Sequence, residues 1–144
     1  MLDSNFEYMD IAINYVGVLV GAIAAFAVGA IWYSLLFRKQ WMRLMGITPE
    51  GMKGMRLTGP QAMGIGFFTV LLMVYVLAHF EFLVGVADMR EALVLGFWIW
   101  LGFQAPLLAN SVLYENRPFS LYLINASQQL VATLVASAVL FYMM

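Results

Sequence analysis

Few side chains in this sequence have the types and spacing for chemistry. His79 is the only histidine, and Glu81 follows two positions later. Such a pair could relay a proton, or the imidazole could ligate a haem, although one histidine cannot build a bis-histidine site. Without any such role, the pair would simply sit at a membrane interface. Glu115 and Arg117 form a second charged pair two residues apart, suited either to marking a site at a membrane border or to capping a tight turn. Five amides, Gln104, Asn110, Asn125, Gln128 and Gln129, lie in otherwise apolar stretches. They could glue helices together or line a polar path. The chain has no cysteine, which removes disulfides, thiolate nucleophiles, iron–sulfur clusters and thiolate zinc sites. No phosphate loop, metalloprotease helix or serine nucleophile elbow is present, so no enzyme, no cofactor and no metal site are expected.

The elements that carry these residues follow from composition. Of 144 residues, 64% are hydrophobic and 10% charged, and mean hydropathy is +0.88. A soluble domain carries about a quarter charged residues. The bilayer is the expected solvent, and a net charge of -1 offers no basic face for nucleic acid. Four apolar runs, at about 11–37, 61–84, 89–114 and 118–142, each exceed the roughly 20 residues that a helix needs to cross. Unalternating runs and the need to pair every backbone amide inside lipid predict helices. The expected fold is all-α, one four-helix transmembrane domain over 1–144 with a loop at 38–60. Asp88 with Glu91 is a capping-box pattern for span three. Pro118 suits the first turn of span four, Gly59-Pro60 reads as a chain break before span two, and Thr48-Pro49-Glu50 begins a short loop helix. Ser4 with Glu7 is a weaker cap.

Orientation follows from the basic residues. Arg38, Lys39, Arg43, Lys53, Arg56 and Arg117 fall on one side, against Arg90 alone on the other. The positive-inside bias places the first and third loops in the cytoplasm and both termini outside. The acidic start lacks a signal peptide's basic region, so span one should be retained. His79, about 27 Å from the cytoplasmic edge at 1.5 Å per residue, falls at the outer interface.

Gly17, Gly21, Ala25 and Gly29 recur every fourth residue and form a smooth stripe for close helix contact, within the chain or with a neighbouring subunit. Spans three and four, joined by a very short turn, must form an antiparallel hairpin. Equal depth then matches Asn110 with Asn125, Gln104 with Gln129, Gly102 with Ala132 and Trp98 with Ala136. Pro106 should bend span three and free the Gly102 carbonyl near Gln128 and Gln129. Trp98 and Trp100 are expected in the core, with Trp32, Tyr33 and Trp41 in an inner aromatic belt and Tyr8, Tyr15 and Tyr142 in an outer one. In the first loop, Trp41, Leu44, Met45, Met52 and Met55 interleave with the five basic residues. That amphipathic segment suits anionic headgroups, at about 1 kcal/mol per basic residue. Partner docking or Cu(I) binding by the methionines are the other readings.

Asn14-Tyr15, Ile31-Trp32-Tyr33-Ser34, Leu36-Phe37 and Trp41-Met42-Arg43-Leu44-Met45-Gly46 form one set of motifs. Trp100-Leu101-Gly102-Phe103, Ala105-Pro106, Glu115, Arg117-Pro118-Phe119 and Leu123-Ile124-Asn125 form another. From Asn14 onward the chain resembles the domain-of-unknown-function family numbered seventeen sixty-one. That resemblance implies a small bacterial inner-membrane protein of four spans, with no assigned reaction and no catalytic residues. One position departs from the pattern: Leu35 stands where the family usually has proline, which removes the basis for a proline kink there. The expected role is structural or interactive, as a homo-oligomer or an accessory subunit of a membrane assembly. The rivals are a small channel or transporter lined by the amides, and a lipid or quinone enzyme using His79 or Glu115.

Overall fold

The computed structural model describes residues 11–144. The expected Ser4–Glu7 cap and Tyr8 lie outside the described residues. Helix α1, Tyr15–Ile31, begins at Asn14, which is its cap. The Asn14 carbonyl Oδ1 accepts from the Gly17 N–H at 3.1 Å, and its Nδ2 donates to the Met143 carbonyl at 2.6 Å. The chain then widens into a π-helical turn, Trp32–Leu36, in which the Phe37 N–H reaches back five residues to the Trp32 carbonyl at 2.8 Å. Span one is therefore irregular at its end without the proline. Helix α2, Arg38–Met45, follows and stops at Gly46, whose φ of 68° is left-handed. Thr48 caps α3, Pro49–Met52, as its Thr-Pro-Glu sequence predicts.

Helix α4, Gly59–Val84, starts two residues earlier than expected. Gly59-Pro60 is its first turn and not a break, because proline lacks only an amide that would be unpaired there. Thr58 and Gln61 close a reciprocal capping box, a signal that the glycine–proline pair masked. Helix α5, Met89–Ile99, starts at Asp88, whose carboxylate accepts from the Glu91 N–H at 2.8 Å. Glu91 reaches back one residue further than a capping box requires, to the Ala87 N–H at 2.7 Å. A second π turn, Trp100–Gln104, leads into the short helices α6, Ala105–Leu108, and α7, Asn110–Leu113. Pro106 thus stands at the start of α6, where its missing hydrogen bond is absorbed by the widened turn before it. Asn116, with φ 54°, turns the chain into α8, Phe119–Tyr142, and Pro118 stands at the position just before the helix and not within its first turn.

The fold is all-helical over the described residues, and four helical segments are long and apolar enough to cross a membrane: Tyr15–Leu36, Gly59–Val84, Met89–Leu113 and Phe119–Tyr142. Helix α8 is the axis. It packs most extensively on α1 and next on α5, while α1 also packs on α4. Helices α4 and α5 barely touch. The core joins Val18, Ala22 and Ala25 of α1 to Val74 and Leu77 of α4 and to Ala132, Ala136 and Leu140 of α8. Half of these residues are alanines, so backbones approach closely and dispersion replaces the hydrophobic drive that lipid abolishes.

Candidate functional site

The small-residue stripe of α1 is consumed within the chain. A Cβ at Gly17 would stand 3.4 Å from Met143 Cβ, one at Gly21 would meet Val74 Cγ1 at 3.1 Å, and one at Gly29 would meet Gln128 Nε2 at 3.2 Å. Ala25, in the same stripe, is fully buried. Near the basic side, each π turn opens with a tryptophan that donates to a backbone carbonyl of α8. Trp32 Nε1 bonds the Ile124 carbonyl at 3.1 Å, and Trp100 Nε1 bonds that of Ala126 at 2.8 Å. One residue after Trp32, the Tyr33 hydroxyl donates to Asn125 Oδ1 at 2.7 Å. From the other side, the Tyr122 hydroxyl donates to the Ala105 carbonyl at 3.2 Å. Sequence reasoning placed Trp32 and Tyr33 in a belt and missed these bonds. The repeated Ile-Trp pair, at Ile31-Trp32 and Ile99-Trp100, is the signal that could have revealed them.

The amides therefore pair differently from the equal-depth expectation. Asn125 meets Tyr33, not Asn110, which is exposed. Gln104 Oε1 accepts from Thr133 Oγ1 at 3.0 Å, one helical turn beyond Gln129. Gln128 is buried against Gly29, and Gln129 is half-buried. Gly102, expected against Ala132, has open space where a Cβ would stand, and Trp98 is 61% exposed instead of facing Ala136. The physical cause is the π turn. An extra residue in the turn rotates the two halves of span three relative to each other, so one register computed for a straight helix cannot hold on both sides of it. Trp100 does face inward, through its indole bond.

At the opposite end of the bundle, Glu81 turns inward from α4. It is 1% exposed, and the Ser137 hydroxyl lies beside its carboxyl. Neither carboxyl oxygen nor Ser137 Oγ achieves hydrogen-bond geometry with any partner among the described residues. Gly96 makes room for this pair, since a Cβ there would come 3.0 Å from Ser137 Oγ. His79 does not join them. It is half-buried, with Nδ1 2.8 Å from the Tyr75 carbonyl and its ring edge-on to Tyr75. Spacing by two had put His79 and Glu81 together, but two residues along a helix turn side chains roughly 200° apart.

Two open features remain. Between α4 and α5 runs a groove of about 440 Å³ whose walls include Leu72, Val76, Phe80, Ile99 and Phe103. Thr69 and Gln104 are the polar residues of its lining, and the Thr69 hydroxyl donates to the Gly66 carbonyl of its own helix. With the Gln104 carbonyl held by Thr133, what this amide can offer a newcomer is its Nε2 donor. On the basic side, Arg38, Lys39, Arg43, Lys53 and Arg56 are all exposed, and Arg38 and Arg56 line a cavity of about 660 Å³. Glu115 and Arg117 are exposed in the turn, where Arg117 contributes its backbone N–H to the Ser111 carbonyl at 2.9 Å. Among the described residues no cluster of histidine, aspartate and glutamate could hold a metal ion.

Comparison with known proteins gives no match among curated proteins and none among solved structures. A family model described as "Protein of unknown function (DUF1761)" matches residues 16–141, a stretch that takes in both π turns, the Gln104–Thr133 bond and the Glu81–Ser137 pair. The chain belongs to that family.

Proposed function

We propose that this chain is an interaction protein of the membrane, without a reaction of its own, which receives a transmembrane helix in the groove between α4 and α5. The occupant is a second copy of the chain or a subunit of a larger assembly. The observation that carries this reading is the combination of a mostly apolar groove with one amide donor in its lining. Lipid tails can fill such a groove, but they cannot accept a hydrogen bond, and an unpaired donor in hydrocarbon costs several kcal/mol. A helix carrying an acceptor supplies both contacts, contributing about 0.6 kcal/mol for the bond and more through packing. The small-residue stripe gives no support to a partner, because α8 and α4 already occupy it. A channel lined by the amides is also disfavoured, since Asn125 and Gln104 bond within the chain. We place the basic loops in the cytoplasm of an inner membrane, on the charge bias of the loops. Particle mass in native nanodiscs tests the proposal: a defined complex larger than the 16.2 kDa chain is expected, and a monodisperse lone monomer contradicts it.

One observation favours a second reading, coupled movement of an ion. Glu81 is an ionisable group buried near the end of α4 whose carboxyl finds no hydrogen-bond partner among the described residues, and such groups in membranes mark functional positions by default. This reading requires proton flux into proteoliposomes that Glu81→Gln abolishes; equal flux in both proteins removes it.

A further inference from the structure

The cavity on the basic side is built for a ligand of mixed character. Its walls come from the end of span one, from α2 and α3, and from the first turn of α4. Tyr33 and Ala62 lie in the terminal turns of spans one and two, so the cavity sits at the boundary between hydrocarbon and headgroups whichever way the chain is inserted. Arg38 lines it from the start of α2, and Arg56 from the segment before α4. Among the described residues no carboxylate lines it. Against these two guanidinium groups stand Trp41, Met52 and Met55, a flexible and polarisable apolar wall. Tyr33 and Trp41 pack with ring centroids 5.4 Å apart, which holds the floor in place.

We infer that this cavity is a binding site for an anionic phospholipid, with the phosphate between Arg38 and Arg56 and the glycerol and first methylenes against Trp41, Met52 and Met55. Guanidinium forks bind phosphate oxygens two at a time, which a lysine cannot do. An apolar wall alone would accept any lipid, and exposed basic residues alone would attract any anionic surface. Their convergence on a cavity of about 660 Å³ selects a molecule that has both parts. This goes beyond the interaction role and is independent of the groove between α4 and α5.

The full chain in nanodiscs of phosphatidylcholine and phosphatidylglycerol in equal amounts, examined by native mass spectrometry, tests the site. Two basic contacts predict an about thirtyfold preference for a retained phosphatidylglycerol. Arg38→Gln with Arg56→Gln should abolish that preference. Lys39→Gln with Lys53→Gln, which removes the same charge from the same segment outside the cavity, should preserve it. Equal loss in both double variants means diffuse surface attraction and overturns the proposal, as does equal retention of the two lipids by the unmodified chain. Displacement of the lipid by millimolar inorganic phosphate would reassign the cavity to a free anion and overturn the lipid assignment.

Discussion

The seam between α1 and α8 and the groove between α4 and α5 solve the same problem in opposite ways. Along the seam, Gly21, Ala22 and Ala25 face Ala132, Ala136 and Leu140, and the backbones are close enough for Asn14, Trp32 and Tyr33 to bond across it. Along the groove, bulky side chains keep α4 and α5 apart, and Gln104 is held from behind by Thr133. In lipid there is little hydrophobic gain from bringing helices together, so contact depends on small residues and matched polar groups. The seam has both within one chain. The groove has half of each, and that is what an unfilled interface in a membrane consists of.

Substitutions can break this contrast or sharpen it. The largest effect is expected at the seam. Ala22, fully buried, leaves no space for a longer side chain, and Ala22→Leu should destabilise by about 3 kcal/mol or more, read as a lowered thermal midpoint in detergent. Glu81→Leu should act in the other direction. Replacing a buried carboxyl that has no hydrogen-bond partner among the described residues by an apolar group of similar size should stabilise by up to about 2 kcal/mol, and a lower midpoint would mean that the carboxyl has a partner after all. Trp32→Phe removes the indole bond to Ile124 and should cost about 1 kcal/mol. Tyr33→Phe, which leaves Asn125 without its donor, should cost about 0.6 kcal/mol. Phe103→Ala in the groove, 65% exposed, should leave the midpoint of the isolated chain within about 0.5 kcal/mol while reducing the mass of the nanodisc particle. A loss of stability comparable to Ala22→Leu would show that the groove is part of the chain's own core.

Much of this was legible in the residues. Apolar length predicted four spans, and Thr48 and Asp88 announced their helices because a capping side chain must lie at a fixed offset from the amide it receives. The glycine stripe predicted a close contact but not its occupant, since small residues state only that something comes near. Register was the part that could not be read. Depth matching assumes straight helices, and nothing in Trp100-Leu101-Gly102-Phe103-Gln104 announces the widened turn that separates Trp98, which is exposed, from Gln104, which meets Thr133. Nearness to the end of α4 gives the level of Glu81 along its helix but not the direction its side chain takes. Its burial depends on α5 and α8, where Gly96 and Ser137 make the space, and no local pattern encodes that.

The groove is tested most directly by a photo-reactive residue placed at Phe103 in the native membrane, with Leu123, 52% exposed on α8 and away from the groove, as the control. If a transmembrane helix occupies the space between α4 and α5, Phe103 yields one protein adduct of defined mass, which Gln104→Leu weakens, while Leu123 yields lipid adducts. Lipid adducts alone from both positions, together with a particle of single-chain mass, would contradict it.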